Sequence, residues 1–398
     1  MGLNHPRDMD AWRRWEASRH RLRRAKHALA DRVRRSEADR APARWQVFTR
    51  EGVGAPILVA IDSLTPTSKA ALLDSLAYLR SGVLVVAPAT LPLNRALADA
   101  AGGQRPTSHL IDATPEELAA AVDQAGGAKA VVSLGHHLPV GELVHNLARS
   151  RSWPSYVVQH GALTPYTPPL PQDTTLLAWS AADADFWTVG RHDVRSVVVG
   201  SQLLWQAGHR PHEGWIGEAP VFLGQMHGIE LPRRLMGRAA LRFCRDNDAA
   251  YRPHPSEKDI ASRLRLDMWK RFGLQIAPTD VPLSKLDRPV VAVFSTGVLE
   301  SAARGIASWV YCPGAPAWVR EFWDRYNMRA WGGEPTSAPV IPEDEPAVSV
   351  AQILDGPEAL DTHRTSGQDI MVDQGKRGES VSNGPSGRGQ RPAGKDQA

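Results

Sequence analysis

Two short stretches in the second half of the chain carry the densest chemistry. In YRPHP (Tyr251–Pro255) the imidazole of His254 stands between two prolines and beside Arg252. Both prolines restrict the backbone, so His254 is held in place, and a ring N–H there can donate to a phosphate. In FSTGVLESAARG (Phe294–Gly305), Ser295, Thr296 and Gly297 form a tight loop ahead of a helical pattern. The N–H groups at a helix N-terminus and the positive end of its dipole suit a phosphate. The two hydroxyls add further bonds, and Glu300, one turn on, can accept from ribose hydroxyls. A plainer alternative makes Ser295 an N-cap, Glu300 a solvated carboxylate and His254 a packed loop residue. Both stretches follow apolar runs and precede helical patterns. Ligands of open parallel sheets bind beyond the carboxyl ends of the strands, so both stretches should face one crevice. Gly224 and Gln225 follow another short apolar run, Val221–Leu223, where backbone could approach donor phosphates or acceptor.

The first half offers bases. In VVQHGALTPYTPP (Val157–Pro169) an apolar run ends at Gln159, and His160 and Gly161 open an irregular loop. Histidine removes protons from hydroxyls near neutral pH, so His160 is the candidate general base, against the alternative that it only orders a Pro-rich loop. SLGHHLP (Ser133–Pro139) supplies His136 and His137 as substitutes, and Asp62, at the end of Ile57–Ile61, either faces the crevice or caps the helix that follows it. Adjacent histidines point apart in an extended chain and no carboxylate lies at ligand spacing, so neither a metal site nor a cofactor is expected.

HP after a short strand, with an S-T loop some forty residues on, resembles the GT-B enzymes that use cytidine nucleotides. These are bacterial capsular, sialyl- and polysialyltransferases and the CDP-glycerol glycerophosphotransferases of teichoic acid synthesis. STGVLESAARG is similar to the wider GT-B pattern, and QHG to a stretch of capsular polysaccharide transferases. The resemblance covers roughly 221–314, with weaker support from 156–179. It implies that His254, Ser295 and Thr296 contact donor phosphate and Glu300 the ribose. The implied donor is CMP-, CDP- or UDP-linked and the implied acceptor is a cell-surface saccharide or glycolipid. The acidic D/E-D/E-G triplet of the sialyltransferases has no counterpart here, which argues against sialyl transfer.

The elements that position these residues read as two βα series. Ile57–Ile61, Val83–Ala87, Ala130–Ser133, Tyr156–Gln159, Leu176–Trp179 and Val197–Val199 are short apolar runs separated by helical patterns, with Ser108–Ile111 an edge segment. Val221–Leu223, Ala249–Arg252, Val290–Phe294 and Ser308–Tyr311 repeat the scheme. Such alternation indicates parallel sheets with helices on both faces. The expected architecture is a basic N-terminal helix (1–44), a Rossmann-like acceptor domain (45–207), a Rossmann-like nucleotide-donor domain (208–355) facing it across a cleft, and a disordered tail (356–398). In Glu257–Phe272 the residues Ile260, Leu264, Met268 and Phe272 recur every four positions, the mark of an amphipathic helix.

At 398 residues there is room for two cores. Two cysteines, Cys244 and Cys312, exclude a disulfide scaffold or a cysteine-based zinc site and fit a cytoplasmic setting. No apolar run approaches the roughly 18–20 residues of a membrane span. The arginines of 19–26 and 32–35 sit on the expected helix 12–39, whose thin apolar stripe packs on the body. Contact with an anionic membrane surface at the inner face of the plasma membrane is a second reading of it, and nucleic-acid binding a third. No recognised nucleic-acid module accompanies these arginines. The rivals to a transferase are a nucleotide-sugar epimerase of the same fold and a basic nucleic-acid-binding protein with a non-catalytic body.

Overall fold

A computed structural model describes residues 2–19, 43–100, 107–210, 219–226, 228–257 and 259–356. Eight strands make the first sheet: β1 (Arg44–Arg50), β2 (Ile57–Ala60), β3 (Val83–Pro88), β4 (Thr107–Asp112), β5 (Ala130–Ser133), β6 (Ser155–Val158), β7 (Thr175–Ala178) and β8 (Arg195–Val198). Their order is β4-β1-β3-β2-β5-β6-β7-β8. From β3 to β8 neighbours pair in parallel. β2 is buried along its whole length, as a strand covered on both faces must be. Ile57 and Val59 pack with Leu72 and Leu76 on one face; Leu58 and Ala60 pack with Leu118, Val122 and Val144 on the other.

The wholly parallel sheet expected from the sequence needs one correction. β1 runs antiparallel to both β3 and β4. Residues 51–56 are too few for the crossover a parallel return requires, so the chain simply reverses. Gly52 permits the reversal, because a Cβ there would lie 2.3 Å from the Gly82 amide nitrogen.

Helices cover both faces. α2 spans 66–78 and contains a π-type turn, Lys69–Leu73; Thr65 caps it by accepting from the Ser68 N–H. α3 (Leu93–Ala100), α4 (Pro115–Gln124), α5 (Pro139–Arg151), α6 (Ala181–Thr188) and α7 (Gln202–Gly208) follow. Thr114, Ser180 and Ser201 accept from backbone N–H groups at the starts of α4, α6 and α7, the signature of N-caps.

The second sheet has four parallel strands in the order β10-β9-β11-β12: β9 (Val221–Leu223), β10 (Ala250–Arg252), β11 (Val290–Ala292) and β12 (Ser308–Val310). α8 (Arg233–Asp246), α9 (Ile260–Arg271), α10 (Thr296–Ala303) and α11 (Ala317–Arg325) surround it. Its core joins Phe222, Phe243, Tyr251, Trp269, Val319 and Phe322.

One further feature departs from the sequence reading. The last helix, α12 (Pro346–Asp355), returns to the first unit, where Val350, Ala351 and Leu354 join Leu72 and Leu76. The boundary drawn at 355 therefore assigns α12 to the wrong core. The four-residue apolar repeat of α9 faces outward; Ser262 and Trp269 form its buried side. The N-terminal helix is described as α1 (Met9–Arg19), and the arginine-rich remainder, like the C-terminal tail from 357, lies outside the described residues. Among the described residues no helix is long and apolar enough to cross a membrane.

Asp355 ends α12 and ties it down. Its carboxylate accepts from the N–H groups of Arg80 (2.9 Å) and Ser81 (3.1 Å) and from the Ser81 hydroxyl (2.5 Å), with Lys129 at 3.8 Å. Burial would raise its pKa, but these hydrogen bonds hold it below the usual carboxylate value. Replacing it by alanine leaves two backbone donors unpartnered. Asp355→Ala is expected to lower stability by about 2–3 kcal/mol in urea titrations; an unchanged midpoint would show that α12 is held by its apolar face alone.

Candidate active site

Three loops emerge at the carboxyl ends of β9, β10 and β11, and buried polar side chains staple them together. The Glu257 carboxylate, 4% exposed, accepts from the Tyr251 hydroxyl (2.9 Å), the Met226 N–H (3.0 Å) and the His254 N–H (3.4 Å). The side-chain carbonyl of Gln225 accepts from the N–H groups of Val293 (3.2 Å) and Phe294 (2.9 Å). A Cβ on Gly224 would lie 2.3 Å from the Tyr251 hydroxyl oxygen and 2.8 Å from Glu257 Oε1. Gly224, by its lack of a side chain, and Gln225, through its side-chain carbonyl, thus hold the loops in register. Glu257 was not anticipated. In PSEKD it reads as a residue at a helix start, and only the folded chain brings Tyr251 and the β9 loop onto it.

This scaffold orients the expected residues. His254 Nδ1 accepts from the Ser256 N–H at 3.1 Å, which places the ring proton on Nε2 as a donor, and burial lowers its pKa. Desolvation pushes the Glu300 carboxyl up to about 7, although Arg304 and Arg252 pull the other way. Arg252 itself is lowered by desolvation against the opposing pull of Glu300, and donates to the Val281 carbonyl. Arg304 fixes the adjoining loop through the carbonyls of Leu283 (3.2 Å) and Leu286 (2.7 Å) and through Asp287 (2.8 Å). Ser295 caps α10, its hydroxyl accepting from the Gly297 N–H at 3.1 Å. Gly297 is packed close, since a Cβ would lie 2.7 Å from Leu223 and 2.8 Å from Leu283. Thr296 reaches the other unit, where its hydroxyl accepts from the Ala162 N–H at 3.2 Å.

The opposing wall is the loop after β6. Gln159, 1% exposed, accepts from the Trp179 N–H (2.8 Å) and donates to the Gly161 carbonyl (3.1 Å), while Trp179 donates its indole N–H to the Gln159 carbonyl (2.8 Å). His160 emerges from this clamp. With Asp62 and His137 it lines a cavity of about 40 Å³, room enough for water. Its Nδ1 is buried with no hydrogen-bond partner among the described residues. Desolvation pushes His160 and His137 down to about 4, which corrects the expected titration near neutrality.

Asp62 accepts from the N–H groups of Val140 and Gly141, both at 2.9 Å, so it caps α5 and not the helix that follows it in the chain. Both its oxygens are engaged, and desolvation raises its pKa. His136 lies apart from His160. It lines a separate cavity of about 550 Å³ with Arg149 and Arg191, and its pKa is also pushed down by desolvation to about 4. Of the two adjacent histidines, the structure places His137 beside His160.

Contacts between the two units set the cleft. The Tyr326 hydroxyl donates to Asp183 (2.5 Å) and accepts from the Leu163 N–H (2.7 Å). Arg325 donates to the Leu163 carbonyl (2.7 Å), pairs with Asp183 (3.4 Å) and covers the Phe186 ring at 3.8 Å. An aromatic series continues outward: Phe294 meets Trp318, Trp318 meets Tyr166, and Tyr166 stacks on Trp15 of α1 at 4.6 Å. Trp12 donates to the Tyr166 carbonyl (2.7 Å) and lies edge-on to His137 at 5.8 Å.

No protein-family model and no curated protein matches the sequence. Among solved structures, Methanocaldococcus jannaschii UDP-GlcNAc 2-epimerase, in complex with UDP-GlcNAc and UDP, superposes with a TM-score of 0.50 at 10% identity, covering 75% of this chain and 99% of that one. The fold is GT-B. Weaker superpositions are found with Thermobaculum terrenum O-GlcNAc transferase (TM-score 0.39, 15% identity, 85% of this chain and 68% of that one) and with Os79 from O. sativa in complex with UDP (0.40, 12%, 78% and 93%). In this GT-B chain the cleft runs between the 160–163 loop and the starts of α9 and α10. Among the described residues no group of three His, Cys, Asp or Glu is placed to hold a metal.

One buried and three half-buried imidazoles make a prediction for stability. His136, His137 and His160 are held near 4 and His145, bonded to the Ser133 hydroxyl at 2.7 Å, near 3. All four lie below the usual 6.5, so their contribution is present above about pH 6.5 and is lost as pH falls toward 4. Each adds a slope of up to about 1.4 kcal/mol per pH unit. Urea midpoints should therefore fall steeply between pH 6.5 and 4.5; a flat profile would show that these rings are hydrated.

Proposed function

We propose that the chain is an enzyme that moves a sugar or glycerophosphate from a CMP-, CDP- or UDP-linked donor to a cell-surface polysaccharide or glycolipid acceptor, working at the inner face of the plasma membrane. The observation that carries this reading is Glu300. A carboxyl half-ionised near pH 7 beside Arg252, one turn into the helix that Ser295 caps, is poorly placed for stability and well placed to accept from ribose hydroxyls. The Nε2–H of His254, Arg252 and the α10 dipole then stabilise the charge that develops on the departing donor phosphate, in the role a metal ion would fill. His160, neutral at ordinary pH, accepts the proton of the acceptor hydroxyl as the new bond forms. The contacts at Ala162 and Leu163 close the cleft around donor and acceptor, which limits hydrolysis.

A second reading is favoured by the superposition with the M. jannaschii epimerase: reaction of a nucleotide sugar without any acceptor. The two separate by product. Transfer releases nucleotide only when an acceptor is present, whereas epimerisation changes the sugar with none. Stabilisation by CMP, CDP or UDP in a thermal-shift panel without added metal supports either enzyme. Salt-sensitive RNA binding without such stabilisation would instead favour a basic nucleic-acid-binding protein.

Glu300→Gln is expected to weaken donor binding by about 1.5–3 kcal/mol in calorimetry. Wild-type affinity should rise with pH through about 7 as Glu300 ionises, and that limb should be absent in the variant. The stability effect has the opposite sign. The folded-state value lies above the usual 4.5, so the wild type loses stability as pH rises from 4.5 through 7. The glutamine variant should then be the more stable protein at pH 8, by about 1–3 kcal/mol, and equal to wild type at pH 4.5. Unchanged donor affinity would remove Glu300 from the ribose role.

The two cleft histidines should separate kinetically. His254→Ala is expected to lower donor affinity and turnover together. His160→Ala is expected to leave donor affinity intact and cut turnover about 10²–10⁴-fold, with no change in the limb near pH 7. Loss of donor affinity in the His160 variant would make His160 a binding residue and transfer the base role to its neighbour His137.

A further inference from the structure

The outer face of the second unit combines an apolar ridge with a row of arginines. On α9 and just past its end, Ile260, Leu264, Met268 and Phe272 are 59%, 65%, 47% and 80% exposed. Four-residue spacing puts them on one inclined ridge about 18 Å long at the helical rise of 1.5 Å per residue. The core already has what it needs from α9, since Ser262 and Trp269 fill its inner side. α8 lies beside it: Arg233 pairs with Asp259 at 3.2 Å, and a Cβ on Gly237 would sit 3.9 Å from the Trp269 ring. The outward residues of α8 are Arg234, Arg238, Arg242 and Arg245, all exposed. Exposed Arg263, Lys270 and Arg271 continue the positive charge along α9, against exposed Asp246, which pairs with Arg242 at 3.5 Å, and Asp267.

We propose that the α8–α9 face is a docking surface for an anionic lipid bilayer. The apolar ridge of α9 enters the boundary between headgroups and acyl chains, and the arginines of α8 and α9 meet the lipid phosphates. Charge complementarity selects this occupant. A second copy of the chain would bring the same excess of arginine against itself. A bilayer asks for neither matching shape nor a large area, only an apolar ridge flanked by basic residues. The face is made of other residues than the arginine-rich segment after α1, and the proposal does not depend on which donor the cleft takes.

The test is flotation of the full chain with phosphatidylcholine vesicles, with and without phosphatidylglycerol, at low and high salt. The wild type is expected to float with the anionic vesicles and not with the neutral ones. Leu264→Glu/Phe272→Glu should lower the bound fraction about tenfold, because a charge on the ridge must be dragged into the boundary region. Arg238→Glu/Arg242→Glu should lower it similarly and weaken its dependence on salt. All four positions are exposed, so melting temperatures should match wild type, which verifies that the variants fold. Wild-type flotation by both double variants would overturn the proposal and leave the arginine-rich segment as the membrane contact. A wild type that ignores anionic vesicles would overturn it too. So would a wild-type dimer, seen by sedimentation, that Leu264→Glu splits, because the face would then join two copies.

Discussion

The buried carboxylate of Asp183 is the point on which the two halves depend. It is 1% exposed, sits at the start of α6 in the first unit, and meets Tyr326 and Arg325 at the end of α11 in the second. Removing one partner from such a buried pair costs about 3–5 kcal/mol, because the charge left behind has no water to replace it. Arg325 and Tyr326 also bind the carbonyl and N–H of Leu163, so the same cluster sets the path of the loop that carries His160. A second tie, α12, returns the chain to the first core and clamps residues 80–81 through Asp355. Held at two separated places, the units face each other with the carboxyl ends of both sheets turned to the cleft.

Inside that cleft, desolvation decides the protonation states. It pushes the histidines of the first unit down and Glu300 up, so at neutral pH the walls carry less charge than the sequence suggests. A neutral imidazole is a competent base only if it stays unprotonated while waiting, and a depressed pKa guarantees that at the expense of basicity. Glu300 is the converse case, a carboxyl kept poorly solvated until something donates to it. The raised carboxyl lowers stability at neutral pH, which is the usual mark of a residue retained for a task other than folding, whereas the depressed imidazoles lower it only as pH falls below about 6.5.

Much of this was legible in the sequence, and the limits have physical causes. Strands buried on both faces, such as β2 and β3, read as unbroken apolar runs, and the N-caps at Thr114 and Ser295 announced their helices. β1 escaped because its polar and charged positions break the apolar run and its partners are antiparallel. At the site, His254, Ser295 and Glu300 were visible because short local spacing places them at strand ends. Glu257 was not, because its partner Met226 lies 31 residues away along the chain, and Gln225 was read for its backbone alone because the partner of its side chain lies 68 residues away. Choosing His137 over His136 as the companion of His160 required the direction of each ring, which adjacent positions in a sequence do not give. Asp62 was expected at a helix start, and it is at one, but across the sheet from its own segment.

The α9 helix shows why periodicity and burial are separate statements. Apolar residues four apart establish that a helix has an apolar face, and nothing in the repeat says which way the face turns. That is fixed by what competes for the inside. Trp269 and Ser262 lie on the opposite side of the helix, and the Trp269 ring meets Tyr251 edge-on at 5.1 Å. Tyr251 must lie there because its hydroxyl is bound by Glu257, the residue that joins the β9 and β10 loops. The demand for a rigid cleft therefore propagates through Tyr251 and Trp269 to the roll of α9. Once that roll is set, Ile260, Leu264, Met268 and Phe272 can only face outward. The exposed ridge is then a geometric consequence of the cleft scaffold, and the arginines beside it determine what kind of surface it can meet.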